Sequence, residues 1–435
     1  MILFSSGSPE KAFTYEELRS ALFTSFDKLG ERRRVLAVPP DFTRRHSQAG
    51  LLTELAWEYY ADRLTDVLPA IGTHCPMSAE EVEAMFGKVP GYLFRVHDWR
   101  HGLAALGEVP AAFVREVSDG KVDYSVPIQV DRLLCGGSHD LILSIGQVVP
   151  HEVIGMAGYN KNVFIGTGGE ESIHKTHFLG AAYGMERIVG RTDTPVRKLL
   201  NYGSDHFARH LPVVHVLTVV GKNGRGEIVV RGLFIGDERE CFERAAALSL
   251  KVNIQLLDTP LKKVIVYLDP LEFKSTWLGN KSIYRTRMAL ADGGELVILA
   301  PGLAQFGEDD RLDLLIRKYG YAGTPRLLKL AASQRDLRQN LGTAAHLIHG
   351  SSEGRFTITY CPGHLTRQEV EGVNFRYADL RAMTARYDPE KLHDGYNSLA
   401  DGEQVFFISN PALGLWARRE CFEPPETRSG ATEHL

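Results

Sequence analysis

"RRRVLAVPPD", residues 32–41, carries the first decisive pattern. Three arginines give way to an uninterrupted apolar run, and two prolines and an aspartate then stop it. This predicts a buried strand that ends in a turn. Next, "QAGLLTELAWEYYADRL" (48–64) repeats apolar residues at helical spacing, and "TDVLPAIGTH" (65–74) reads as a second strand. "SAEEVEAMFG" (78–87) reads as a helix with Ser78 as its N-cap and Gly87 as its stop. Strand, helix, strand, helix predicts a parallel sheet with crossovers. "HDLILSIGQVVPH" (139–151) adds another strand. In open α/β sheets ligands sit beyond the carboxyl ends of the strands. Asp41 through Arg44, Thr73 with His74, and His151 all follow strand-like runs. Three strand ends that aim polar groups at one rim predict a shared site.

A second α/β unit starts near Leu261. "KKVIVYLDP" (262–270), "GGELVILAPG" (293–302), "RFTITYCPGH" (355–364) and "EQVFFISN" (403–410) read as strands. "NKSIYRTRMALAD" (280–292) and "EDDRLDLLIRKYG" (308–320) read as helices. The expected organisation is an α/β protein of two domains, each a largely parallel sheet flanked by helices. The N-terminal domain spans 1–258 and takes back the C-terminal segment 405–435. The C-terminal domain spans 262–404, and the site lies in the cleft between them. No internal repeat, low-complexity tract or charge block interrupts this plan.

The bulk numbers narrow the class. The chain has 435 residues, 44% hydrophobic and 24% charged, which is ordinary globular composition. A formal net charge of −4 gives no reason to expect nucleic acid as a partner. No apolar run reaches the roughly 18–20 residues of a membrane helix, and the N-terminus lacks a signal-peptide layout. Cys75, Cys135, Cys241, Cys361 and Cys421 are dispersed without CxxC spacing. That argues for reduced thiols in a cytoplasmic protein, without a membrane partner or a zinc ribbon.

The densest chemistry lies in "VVPHEVIGMAGYNKNVFIGTGGEESIHKTHFLG" (148–180), with three histidines and a glycine-rich turn. It joins "DFTRRHS" (41–47), "LPAIGTHCPMSAEE" (68–81), "GQVVPHEVIGMAGYNK" (146–161) and "IHKTHFLG" (173–180). In that order these stretches resemble the nickel-dependent lactate racemase family, whose members isomerise 2-hydroxy acids. The resembling motifs are D-x-T-R, G-T-H, P-H with a lysine ten residues on, and a histidine before a leucine. Each is short; their ordered combination is specific. The likeness continues through "TPVRKLL" (194–200) and into the second domain.

The resemblance implies a nickel-pincer nucleotide, the pyridinium-3-thioamide-5-thiocarboxylic acid mononucleotide with nickel, joined covalently to Lys161. It implies His177 as the metal ligand, an imidazole being a suitable donor for nickel. It implies His74 and His151 as the catalytic pair, since one base cannot reach both faces of C2. Asp41 is then expected to orient a histidine, and Arg44 to grip the substrate carboxylate with its planar fork. Thr43, Gly166, Gly168, Gly169 and Ser172 are expected to bind the cofactor, the glycines by letting a phosphate approach the backbone. The expected partners are a small 2-hydroxy acid and the enzymes that make the cofactor.

Each residue has a plainer reading as well. Lys161 could be a surface lysine, His74 and His151 capped strand-end histidines, and Asp41 a turn cap beside a solvated Arg44. His174, three residues before His177, makes a zinc pair the rival, although no HExxH context or third ligand accompanies it. An NAD-dependent enzyme needs G-x-G-x-x-G after an early strand, which this chain lacks. A non-catalytic cofactor carrier would keep Lys161 and His177 but need not keep both His74 and His151. His97, in "HDWRH" (97–101), reads as structural.

The second domain departs from the lactate-type pattern. "DPLEFKSTWLGNKSIYRTR" (269–287) stands where a Gly-Gly-Tyr-Pro-Lys-like segment is expected. Lys274, Trp277, Asn280, Lys281 and Arg285 are the expected substrate contacts there. Arg45 and His46 replace prolines after Arg44. Together these changes point away from lactate, toward malate, a sugar acid or another more polar 2-hydroxy acid.

Overall fold

The computed structural model describes residues 1–422 and divides the chain into two compact units, Met1–Asn253 and Ile254–Leu435. The division falls slightly before the predicted one.

The first unit is built on a six-stranded sheet. Its strand order is Ile2–Gly7, Ile228–Gly236, Val213–Lys222, Leu141–Gln147, Val35–Val38 and Leu64–Val67. The last four strands pair in parallel, as the alternation of strands and helices predicts. The first two pair antiparallel, so the sheet is mixed, with an antiparallel edge the sequence reading did not include. Both faces are covered. Val214, Val216 and Val220 enter one core with helices Tyr15–Leu29 and Ala49–Tyr60. Leu217 and Val219 enter the opposite core with helix Arg239–Asn253. This is the period-two alternation of a strand buried on both sides. All four residues of Val35–Val38 are buried. Full burial of each of its valine and leucine side chains stabilises by about 1.5–3 kcal/mol. The helix Ala79–Phe86 starts and stops as predicted: Ser78 and Glu81 form a capping box, and Gly87 closes it at φ 56°.

The second unit holds another six-stranded sheet. Its order is Arg376–Tyr377, Thr357–Pro362, Leu290–Ala300, Leu261–Tyr267, Gln404–Ile408 and Gly395–Ser398. Only the Gly395–Ser398 pairing is antiparallel. Ile254–Leu257 pairs in parallel with Leu415–Arg418 as a separate ribbon.

Two expectations need correction here. Gln404–Ile408 is an interior strand of this second sheet, and Leu415–Arg418 also pairs within this unit, so residues 405–422 do not return to the N-terminal domain. The apolar run "VFFI" is buried on both faces, which suits a central parallel strand. Residues 423–435 of that predicted segment lie outside the described residues. The predicted helix over 280–292 also ends early. Lys281–Thr286 is helical, but Leu290 already begins a strand, pairing with Leu261. Among the described residues no helix is long and apolar enough to cross a membrane.

Candidate active site

Three adjacent parallel strands of the first unit end at one rim. Val35–Val38 leads to Asp41, Leu64–Val67 to His74, and Leu141–Gln147 to His151. Asp41 caps the short helical turn Phe42–Ser47, accepting from the Thr43 amide at 3.1 Å and from the Thr43 hydroxyl. Its other oxygen lies 2.7 Å from His74 Nδ1. Asp41 is 5% exposed, whereas the His74 side chain is 63% exposed. Burial pushes the Asp41 carboxyl up. The His74 contact, the Thr43 hydroxyl and the Arg44 charge pull it down further, leaving it below the usual carboxylate range. The ionised carboxylate accepts the Nδ1 proton of His74, which fixes the ring and leaves Nε2 as its other polar atom.

His151 is held differently. Its ring is buried, and its Nδ1 accepts from the Val153 amide at 3.1 Å. A neutral imidazole that accepts at Nδ1 carries its proton on Nε2. Burial, with the charges of Lys161 and Arg44 beside it, pushes its pKa well below the ordinary histidine value, and Glu152 only partly opposes this.

Lys161 lies in the short helix Asn160–Phe164, which Asn162 ties to the strand ends by donating to the Val38 carbonyl at 2.8 Å. Burial and the neighbouring Arg44 charge lower the Lys161 amine to about 8, which makes it a better nucleophile near neutrality than a surface lysine. His177 stands in the helix Glu170–Tyr183 and donates from Nδ1 to the Ile173 carbonyl at 2.6 Å. Burial lowers its pKa to about 4. Its Nε2 lone pair is therefore available, which is how a metal-binding histidine is normally prepared. Lys161, His151, His177, Arg44 and Asp41 each sense at least one other member of the set electrostatically. Asp41, Arg44, His74, His151, Lys161 and His177 thus lie near one another.

With this geometry the comparisons with known proteins agree. The family model for the lactate racemase N-terminal domain matches residues 23–186. Over those residues the chain is similar to the N-terminal domain of lactate racemases. A solved protein from Thermotoga maritima is 25% identical and superposes with a TM-score of 0.78, covering 95% of this chain and 100% of that one. The lactate racemase apoprotein from Thermoanaerobacterium thermosaccharolyticum shares the fold at 16% identity and a TM-score of 0.67, covering 95% of this chain and 94% of its own. A search of curated proteins found no match.

Several residues expected to contact the cofactor have protein partners of their own. A Cβ at Gly166 would meet the Asn162 carbonyl at 2.4 Å, and one at Gly168 the Phe164 carbonyl at 2.0 Å. A Cβ at Gly169 would meet Gln129 Oε1 at 2.4 Å. These glycines let the chain pack against itself on the side where a Cβ would lie. The Ser172 hydroxyl is buried and donates to the Pro127 carbonyl at 2.6 Å. Glu170 and Glu171 occupy the head of that helix and oppose an anion there. Thr43 is exposed, with its hydroxyl on Asp41. His97 is structural, as expected: Nδ1 faces Asp131 at 2.8 Å and Nε2 faces the Gly168 carbonyl at 3.1 Å. His174 is half-buried, 4.0 Å from Glu170. Among the described residues no group of three or more His, Cys, Asp or Glu side chains is placed to hold a metal ion, so a three-ligand zinc centre of protein side chains is not built among them.

The second unit presents its own cluster. Trp277 is half-buried and stacks on His346 with ring centroids 4.4 Å apart. His346 takes Tyr284 and Tyr321 hydroxyls at its two ring nitrogens, and burial lowers its pKa to about 3. Lys274 is exposed, Arg285 is half-buried, and the Lys281 ammonium lies 5.6 Å from the Phe273 ring centre. Asn280 departs from its expected role. It is 0% exposed, and its carboxamide oxygen accepts from the Tyr360 hydroxyl at 2.8 Å, so it braces the interior of the unit.

The sequence reading missed Asn160, Asn162 and Arg197. Their signal is compositional: two asparagines flanking the lysine, and an arginine in the buried face of a helix.

Proposed function

We propose that this chain inverts C2 of a 2-hydroxy acid, working with a nickel-pincer nucleotide tethered to Lys161. The observation that carries this reading is the arrangement of two oriented imidazoles, a depressed lysine amine and a free-Nε2 histidine around the ends of three adjacent strands. The residues fit the group: the Lys161 amine would carry the covalent link, and His177 Nε2 would ligate nickel, a borderline metal suited to imidazole. When bound, the group supplies reversible hydride transfer at C2.

The protein supplies position and protons. The Arg44 guanidinium holds the substrate carboxylate through paired hydrogen bonds. His74 Nε2 accepts the hydroxyl proton on one side and holds it for return to oxygen, while the neutral His151 donates a hydrogen bond from its Nε2–H to that oxygen from the other. Asp41 stabilises the imidazolium that His74 becomes. For the substrate we propose an acid more polar than lactate, read in part by Lys274, Trp277, Lys281 and Arg285.

The test is production alongside the cofactor-synthesis enzymes, followed by intact mass, peptide mapping, metal analysis and chiral assays on a panel of 2-hydroxy acids. The expected outcome is a mass increment on Lys161, about one nickel per chain, and racemisation of a polar 2-hydroxy acid. An unmodified Lys161 with zinc bound would overturn the cofactor reading; a preference for lactate over every other acid would overturn the substrate reading.

A further inference from the structure

"TPVRKLL" is the one resembling motif that the proposed chemistry does not use. It forms the start of the helix Pro195–Phe207, capped by Thr194. Arg197 points inward from it and is 2% exposed. Its guanidinium donates to Asn160 Oδ1, to the Met156 carbonyl at 2.6 Å and, less closely, to the Gly158 carbonyl at 3.4 Å. It also lies 4.3 Å from the Phe242 ring centre. Among the described residues it meets no carboxylate. A buried charge without a counter-ion is costly and persists where it has a task.

The segment it grips is itself strained. Gly158 has φ 82°, and Tyr159, which is not glycine, has φ 59° and ψ −138°. Non-glycine residues hold such backbone only where the surroundings over-determine it. Here the Tyr159 ring is packed against His215 and stacked on Phe242. Asn160 is fixed further by donating to Asn201 at 2.9 Å and Ser204 at 3.1 Å. The next residue is Lys161.

We propose that Arg197 is the positioning residue for Lys161: it clamps the strained 156–160 corner from three acceptors and so fixes the direction in which the lysine side chain leaves the fold. The importance of that direction rests on the proposed tether, while the clamp itself does not. Arg197 touches neither substrate nor reacting atoms. It acts by setting the start of the lysine helix, and its fixed charge also bears on the Lys161 amine together with Arg44, Glu152 and Asp41.

Hydrogen exchange on the full chain tests the clamp without any cofactor. In Arg197→Met the amides of 156–164 exchange faster by about tenfold or more, while the central strands Val35–Val38 and Val213–Lys222 keep wild-type protection. Arg197→Lys keeps the charge with one contact and falls between, and it serves alone if the methionine variant does not fold. Asn160→Asp gives the guanidinium a carboxylate, with Asn201 and Ser204 able to turn donors toward it, and slows exchange at the same amides. Opposite signs at one corner are not what loss of general packing produces. Wild-type exchange at 156–164 in both Arg197 variants, or loss of protection spread evenly over the first unit, overturns the proposal. A second arm measures the fraction of Lys161 carrying a mass increment after production with the synthesis enzymes. The expected order is wild type, then lysine, then methionine; equal fractions in all three overturn the positioning role. No increment even in the wild type refutes the tether and leaves the exchange result standing.

Discussion

His74 and His151 end neighbouring runs of the same sheet, yet they are prepared in opposite ways. One ring is largely exposed and turned by a buried carboxylate; the other is buried and turned by a backbone amide. Asp41 therefore holds the Nδ1 proton of His74, while the Val153 amide leaves the proton of the neutral His151 ring on Nε2. The difference teaches that a pair of like residues can be a donor and an acceptor before any ligand arrives. For mirror-image acids the equilibrium constant is one, so kcat/KM must be equal in both directions. The asymmetry of the pair can appear only as separate differences in kcat and KM.

The hardest way to break the pair is to delete a member. His151→Ala is expected to lower racemisation by about 10²–10⁴-fold, with kcat/KM falling equally for both enantiomers. Chiral chromatography from each pure enantiomer checks this, and a variant near wild-type rate removes His151 from the chemistry. Asp41→Asn should cost less, about 10–100-fold, because it disturbs orientation and leaves both rings in place. Nitrogen-15 spectra of the His74 ring should then show its proton leaving Nδ1; an unchanged spectrum would mean that something other than Asp41 selects the tautomer.

The smallest effect is on stability. His177 and His215 have folded-state pKa values lowered to about 4 and about 3. The unfolded chain binds protons near pH 6.5 that the folded chain refuses, so stability is fully present above that pH and declines as pH falls toward 4. By pH 5.5 each such ring should cost on the order of 1 kcal/mol, visible as a lower urea midpoint than at pH 7.5. His151 belongs to this class by direction. In His151→Gln the decline should be shallower, and an identical decline would separate His151 from the buried set.

Much of this was legible from residue order. Prolines and glycines marked where strands stop, so Asp41, His74 and His151 could be placed at one rim before any coordinates. The antiparallel edge was less visible, because Val213–Lys222 is mostly apolar and apolar runs do not declare strand direction. The glycines at 166–169 misled for a related reason. A glycine signals that something comes close, and here the close partners are the Phe164 and Asn162 carbonyls, brought near by a fold-back that spacing alone does not encode. Asn280 carries a polar side chain that serves an interior network through Tyr360, which sits 80 residues away in sequence. Tautomers were out of reach altogether, since they depend on which backbone or carboxylate group a ring happens to meet.

The ribbon of Ile254–Leu257 with Leu415–Arg418 has a consequence for how such chains change over time. It lays the first strand of the second unit along its last described strand, about one strand spacing, ~4.8 Å, apart. A module whose first and last described strands are hydrogen-bonded to each other carries its own closure with it when it is moved or exchanged as a unit.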